Sequence, residues 1–268
     1  MTTVSLLMPC YEPGRYLAPC LASAVPQLGA GDELLVQDAC SGDGSAALLD
    51  RLAARDERVR VRHEPDSGQS DALNRALGRA TGDLVGWLNA DDLLLPAALD
   101  SVRAACSTRR ELPDVVVGGW QVVDRDAAVL REKWAKRLDH GRLLRCGTYV
   151  FSGAMLVRRQ LLVELGGYRV DLHYTMDYDL MLRLARAAGA QLLLPVPLAA
   201  VRVHGASKSA GPKARIVKDG FTVRRRHSRG WRDVAAAFAG TGFDLACQAT
   251  YGFRYTEGYS RLRRRVRW

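Results

Sequence analysis

The feature that most constrains the fold is an alternation in the first two-thirds of the chain. Short apolar runs end abruptly in polar, often glycine-bearing loops, and each loop leads into a stretch with helical spacing. Val4 through Met8 is apolar and is stopped by Pro9. Tyr16, Leu17, Cys20, Leu21 and Ala24 then recur at the three- and four-residue intervals of a helix. Glu33 through Gln37 is a second strand-like run, followed by a helix over 45–54 for which Asp43 is a candidate cap. Val59 through Val61 is a third run, followed by a helix over 70–80 that Gly82 closes. Asp83 through Leu88 is a fourth. Strands alternating with helices make parallel β-α-β units and predict an α/β, mostly parallel, doubly wound sheet. Ligands of such sheets sit outside the carboxyl ends of the strands, so the residues after each run are where chemistry is sought.

Composition narrows the class. Nearly half of the 268 residues are hydrophobic and a quarter are charged, as in an ordinary globular protein. No run approaches the ~20 apolar residues of a membrane-spanning helix; the most apolar stretch, Leu192 to Val203, is broken by Pro195 and Pro197. Met1 to Ser5 lacks a basic-then-apolar leader pattern, and the six cysteines form no CxxC pair, which argues against a disulfide framework or a zinc site. A cytoplasmic protein is expected. The formal charge of +10 is uneven: residues 213–268 hold 14 Lys and Arg against four Asp and Glu, so the tail carries the whole excess. The pattern divides the chain into a catalytic-type domain over 1–212 and a basic, mainly helical extension over 213–268, with arginine patches at 224–226 and 261–267. Such a tail suits an anionic surface. It lacks the interleaved aromatics of a nucleic-acid module, and no nucleic-acid partner is expected.

After the first run come Pro9, Cys10, Tyr11 and Glu12. After the second comes Asp38, in a loop with Gly42 and Gly44, able to accept hydrogen bonds from a base or ribose or to serve as a turn cap. After the third, Asp66, Asp71 and Asn74 could face one pocket; the plainer reading is a helix start with Ser70 as cap and Asp71 on the dipole. After the fourth come Asn89, Ala90, Asp91 and Asp92. Adjacent carboxylates directly after a buried strand repel unless a cation binds. Hard oxygen ligands there suit Mg²⁺ or Mn²⁺ carried with a diphosphate, against the alternative of an acidic turn capping a helix over 93–102. Asp177 and Asp179 flank Tyr178 at a later helix start, where one could act as general base and the other as cap or acceptor ligand. His204 is a candidate third metal ligand, with Arg202 or Lys208 near phosphate, although a lone histidine is more often structural.

Together and in this order, these segments resemble a family 2 glycosyltransferase of the inverting type, with the GT-A fold. The resemblance runs from Ser5 to Ser209. It is carried by Glu64 to Asn74, by Trp87 to Asp92, by Gly166-Gly167-Tyr168 and by Met176 to Arg183. It implies that Pro9, Tyr11 and Glu12 line the nucleoside pocket, and that Asp38 is the base-contacting aspartate. Asp66, Gln69 and Asp71 would be further nucleotide contacts. Asn89 and Ala90 would open the D-x-D position, whose Asp91 is the metal ligand. Asp92 would lie behind the metal or on a sugar hydroxyl, Lys208 near the phosphates, Asp177 as catalytic base and His204 at the diphosphate or metal. The departures are Glu12 where Asn is common, Asn89 for the first Asp of D-x-D, Met176 for an acidic residue and Cys40 in the usual glycine-rich turn.

The resemblance implies metal-dependent transfer from a nucleotide-diphosphate sugar, UDP by default, to a hydroxyl of a glycan, lipid-linked or small-molecule acceptor. Cell-envelope or polysaccharide synthesis is the expected setting. The segment from Trp120 to Phe151, with Lys133, Trp134, Lys136 and Arg137, is expected to meet the acceptor, and the basic tail an anionic membrane or, in a homodimer, a second subunit. A nucleotidyltransferase and a non-catalytic nucleotide- or surface-binding module are the alternatives.

Overall fold

The computed structural model describes residues 2–205 and 213–254. The expected strands are β1 (Val4–Cys10), β2 (Glu33–Asp38), β3 (Val59–His63) and β4 (Leu84–Trp87), all parallel, in the order β3-β2-β1-β4. The helices between them are α1 (Leu17–Ala24), α2 (Ser45–Ala53) and α3 (Gln69–Leu77). Alternate strand residues enter opposite cores, the signature of a sheet covered on both faces. Leu6, Met8, Leu34 and Val36 join α1, α2 and α4 (Ala98–Ser107) on one side. Leu7 and Leu35 join α3 and the later helices on the other.

The second half of the sheet is mixed. β8 (Met155–Arg158) runs antiparallel to β4, and β6 (Val115–Val123) antiparallel to β8. β9 (Gln191–Arg202) lies parallel to β6, while β7 (Val129–Lys133) pairs antiparallel with β6. Pro195 and Pro197 do not break β9. Pro197 faces Gly119 where the β6–β9 register slips, so the lost N–H falls on an irregularity.

Two local expectations are corrected. Residues 93–102 are not one helix: Leu93 and Leu94 form β5, antiparallel to Ala200 and Ala199 of β9, and α4 starts at Ala98. Pro96 disfavours helical backbone at Leu95, so the helix begins beyond it. Ser70 does not cap α3. The cap position is Gly68, whose φ of 120° an L-residue rarely adopts, and Ser70 sits inside the helix, buried. Asp43 does act near α2, accepting from the N–H of Ser45.

The remaining helices are α5 (His140–Cys146), α6 (Arg159–Glu164), α7 (Met176–Ala187), α8 (Lys213–His227) and α9 (Trp231–Arg254). The described part of the basic tail packs on the body. Val223 and Ala236 join the core beneath α5 and α7. Arg224 is fully buried, its Nε donating to the carbonyl of Leu144 and its guanidinium lying 5.3 Å from the centre of the Tyr178 ring. Of the patch at 224–226, Arg225 and Arg226 are exposed. The patch at 261–267 lies outside the described residues. No described helix is long and apolar enough to cross a membrane.

Candidate active site

The carboxyl ends of β1, β2 and β3 are aligned, with Cys10 opposite Asp38 and Asp38 opposite His63. A chain of polar contacts locks the loops above them. The N–H of Glu12 donates to Ser41 Oγ, whose hydroxyl donates to Asp38 Oδ1 at 2.5 Å, and Asp38 Oδ2 also accepts from the N–H of Ser41. His63 Nδ1 lies 2.8 Å from Asp38 Oδ2, and its Nε2 lies 3.0 Å from Asp50. Burial opposes the charge of Asp38, but its bonds from Ser41 and His63 outweigh that and hold its pKa below the usual carboxylate value. The hydrogen bond to Asp38 raises that of His63. Glu12 and Cys40 have positive φ angles of 44° and 61°, strained for side-chain-bearing residues and held by this network.

β4 delivers Asn89 to Asp92. The side chain of Asn89 is spent inside the protein. Its Oδ1 accepts from Trp87 Nε1 at 2.7 Å and Gln69 Nε2 at 2.8 Å, and its Nδ2 donates to Asp92 Oδ2 at 2.7 Å. Asp92 is 2% exposed and also accepts from the N–H of Arg202. Burial, reinforced by the charge of Asp91, pushes its pKa up to about 8. Asp91 is 30% exposed, and its Oδ2 lies 3.0 Å from His204 Nε2. The short β5–β9 pairing stitches the acidic turn to the end of β9, which brings Arg202 and His204 to it. Arg202 Nε donates to the carbonyl of Asp91, and Tyr16 stacks on His204 with ring centres 4.4 Å apart.

These ends open into one cleft of about 1060 Å³. Pro9, Tyr11, Glu12, Asp66, Gln69, Asn89, Ala90, Asp91, Asp92, Asp177 and His204 all line it. Asp66 accepts from the N–H of Gly68, and burial raises its pKa. Asp177 stands in the first turn of α7, where the helix dipole favours a carboxylate. Asp38 is fully buried and is not among the lining residues, so a base could reach it only by exchanging one of its internal partners. Asp71 and Asn74 turn away from the cleft. Asp71 pairs with Arg75 and accepts from Ser67, and Asn74 bonds to the backbone of Tyr168. Asp179 is buried between Arg183 and His227, at 2.7 and 2.8 Å. Burial opposes its charge, and His227 and Arg183 lower its pKa despite it. Lys208 lies outside the described residues.

Of the segment expected to meet the acceptor, Gly147, Thr148 and Phe151 line the cleft. Trp134 is 59% exposed and, like Lys133, Lys136 and Arg137, is not among the lining residues. Sequence reasoning missed Tyr16, His63 and Tyr174, and the α8 residues Ile216, Val217 and Gly220, all but His63 in the cleft wall. A loop aromatic or a helical Ile carries no local signal; the wall exists because α8 returns to α7.

Among the described residues, no three or more His, Cys, Asp or Glu side chains form a ready-made metal cluster. The donors that do converge are the Asp91 carboxylate and the His204 imidazole, with buried Asp92 behind them. An oxygen and a nitrogen donor beside a crowded pair of carboxylates suit a divalent ion whose other ligands come from a diphosphate and water.

Comparison with known proteins agrees with the fold. The sequence model of glycosyl transferase family 2 matches residues 5–165. The O-antigen biosynthesis protein RfbC of Myxococcus xanthus is 33% identical over 217 residues, covering 78% of this chain and 16% of that protein. The chain spans 61% and 32% of two further curated relatives. The structure of Staphylococcus aureus TarS 1-349 in complex with UDP-GlcNAc superposes with a TM-score of 0.67 at 14% identity, over 96% of this chain and 77% of that one. The mannosyltransferase PcManGT of Pyrobaculum calidifontis in complex with GDP-Man and Mn²⁺ gives 0.61 at 21% identity, over 97% and 77%. These two likenesses establish a GT-A-like fold.

Proposed function

Since the chain belongs to glycosyl transferase family 2, we propose that it transfers a sugar from a nucleotide-diphosphate donor to an acceptor hydroxyl, inverting the anomeric centre. The observation that carries this is the convergence of the Asp91–His204 pair and Asp177 on one cleft at the strand ends. The alternatives, a nucleotidyltransferase or a binding module, lack comparable support, because the family match covers strands β1 to β4 and the acidic turn.

Pro9, Tyr11, Glu12, Asp66 and Gln69 wall the side of the cleft nearest β1 and α3, which suits the nucleoside. A UDP-sugar is the donor we favour, and a GDP-sugar is the next choice. Asp91 and His204 would hold a Mn²⁺ or Mg²⁺ ion, which when bound would neutralise the charge of the leaving diphosphate. Asp177 takes the acceptor proton as the acceptor oxygen bonds to the anomeric carbon, while the bond from that carbon to the diphosphate oxygen breaks. Such a base contributes about 10²–10⁴-fold to the rate, and cleft walls that fix donor and acceptor supply much of the rest. The acceptor enters between Gly147–Phe151, Tyr174 and α8. We place the protein in the cytoplasm, at the inner face of a membrane, where its basic tail meets anionic lipid.

The test is a donor panel (UDP-, GDP- and dTDP-sugars with Mn²⁺) with the product anomer read by NMR. Asp177→Asn is expected to lower turnover by about 10²–10⁴-fold while retaining nucleotide affinity. Undiminished turnover in that variant would remove Asp177 from the chemistry, and product with retained configuration would overturn the single-displacement account.

A further inference from the structure

The outer face of α9 is apolar where a solvated helix would carry charge. Trp231 is 76% exposed, Val234 44% and Phe238 64%. Ala235, Ala239 and Gly242 are exposed on the same side at helical spacing. The one acidic residue of these three turns, Asp233, faces inward, 3.5 Å from Arg186. Exposed arginines lie at the N-terminal end of the face: Arg225 in the last turn of α8, Arg229 in the connecting loop, and Arg232, whose guanidinium is 5.4 Å from the centre of the Trp231 ring; Arg226 is instead engaged by Asp171 at 2.7 Å. A large aromatic face with cations at one end marks an interaction surface.

The face also adjoins the cleft. Ile216, Val217 and Gly220 of α8 line the cleft, and Phe221, the next residue, meets Phe238 of α9 with ring centres 5.9 Å apart. The α8 turn that lines the acceptor side of the cleft is thus the one that packs against the exposed face of α9.

We propose that α9 lies in the headgroup region of an anionic lipid bilayer, with Trp231, Val234 and Phe238 inserted and the bordering arginines on the lipid phosphates. This sets the acceptor side of the cleft against the bilayer. The partner follows from charge. The tail from residue 213 carries the full +10, so apposing two copies through this face would bring like charges together, whereas anionic lipid complements them. The geometry is that of an interfacial amphipathic helix: apolar residues on one side, basic residues at its N-terminal end, and no span. That the bilayer presents the acceptor rests on the transferase reading; the docking itself does not.

The experiment is co-sedimentation of the full 268-residue chain with phosphatidylcholine vesicles, with and without about 30% phosphatidylglycerol, at low and high salt. Binding to the anionic vesicles at least about tenfold stronger, and weakened by salt, is expected. Phe238→Glu, and separately Trp231→Ser, should each reduce it at least about tenfold. Both positions are exposed, so the fold should persist, and nucleotide titration of the same variants should be unchanged. Indifference to lipid charge, or undiminished vesicle binding by Phe238→Glu, overturns the proposal. So does a dimer that Phe238→Glu converts to monomer, since the face then belongs to a second copy. If vesicles bind but no nucleotide does, the donor-site reading falls and the docking face stands.

Discussion

Replacing Asn89 with Asp would restore the two carboxylates usual around a D-x-D turn, and it should nonetheless harm this protein. Asn89 Nδ2 is a hydrogen-bond donor to Asp92, at 2.7 Å, in a site where Asp92 is 2% exposed. Asn89→Asp exchanges that donor for an acceptor. Losing that hydrogen bond costs about 0.5–1.5 kcal/mol while Asp92 is protonated and about 1.5–3 kcal/mol once it is ionised. Two full charges at that separation, with an effective dielectric of ~20, would repel by about 6 kcal/mol. Taking up a proton costs less, so the pair would share one near neutrality. The pH dependence has a definite sign. Burial holds the Asp92 pKa at about 8, above the usual aspartate value of 3.8, so the folded state holds more protons and stability falls as pH rises between the two. A second carboxylate extends that fall to higher pH. In metal-free urea denaturation, Asn89→Asp should cost about 1 kcal/mol near pH ~6, where the shared proton replaces the missing donor, and about 3 kcal/mol near pH ~9. Stability equal to the parent at both pH values would show that Asn89 is not the group that makes a buried Asp92 tolerable.

Two further substitutions probe the scaffold. His63→Gln removes a ring that bridges Asp38 and Asp50. Because His63 is raised by its bond to Asp38, its contribution is complete below the unfolded value near 6.5 and fades as pH climbs through the folded pKa. Chemical denaturation should show a loss of about 0.5–1 kcal/mol near pH ~6 that shrinks by pH ~9, and a pH-independent loss would refute the charge pairing. Gly82→Ala would place a Cβ 2.7 Å from the backbone nitrogen of Ser5, so β1 must shift. A loss of at least about 2 kcal/mol is expected by thermal unfolding, and an unchanged midpoint would contradict the close strand approach.

The first half of the fold was legible because its strands run into their own chemistry: Asp38 at the end of β2 with glycines beyond it, and the acidic turn after β4; Pro9 does not stop β1, which pairs on through Cys10. The second half was not. Val115–Val123 pairs with nearby β7 but also with β8 and β9, which come much later in the chain and which no local pattern announces. Leu93 and Leu94 read as helix because apolar pairs suit either structure; pairing with β9 decides for strand, although Pro96 was a visible warning. Within the site, residues whose role is local were readable. Asp91 lies in the turn that follows β4. Asp71 was misleading, since a helix-start carboxylate serves Ser67 and Arg75 as readily as a ligand. The tail's charge was plain, but the burial of Arg224 and the apolar outer face of α9 depend on how α8 and α9 pack against α5 and α7.

A metal-assisted transferase requires that Asp91 and His204 hold a cation that helps bind a nucleotide diphosphate. The direct measurement is calorimetric titration with UDP, GDP and dTDP, each with and without Mn²⁺, on the parent protein and on Asp91→Asn. We predict that one nucleotide binds, that Mn²⁺ tightens it by about tenfold or more, and that Asp91→Asn abolishes the Mn²⁺ effect while leaving the metal-free affinity in place. A folded protein that binds none of the three, or one whose affinity ignores both Mn²⁺ and Asp91→Asn, would contradict the central claim.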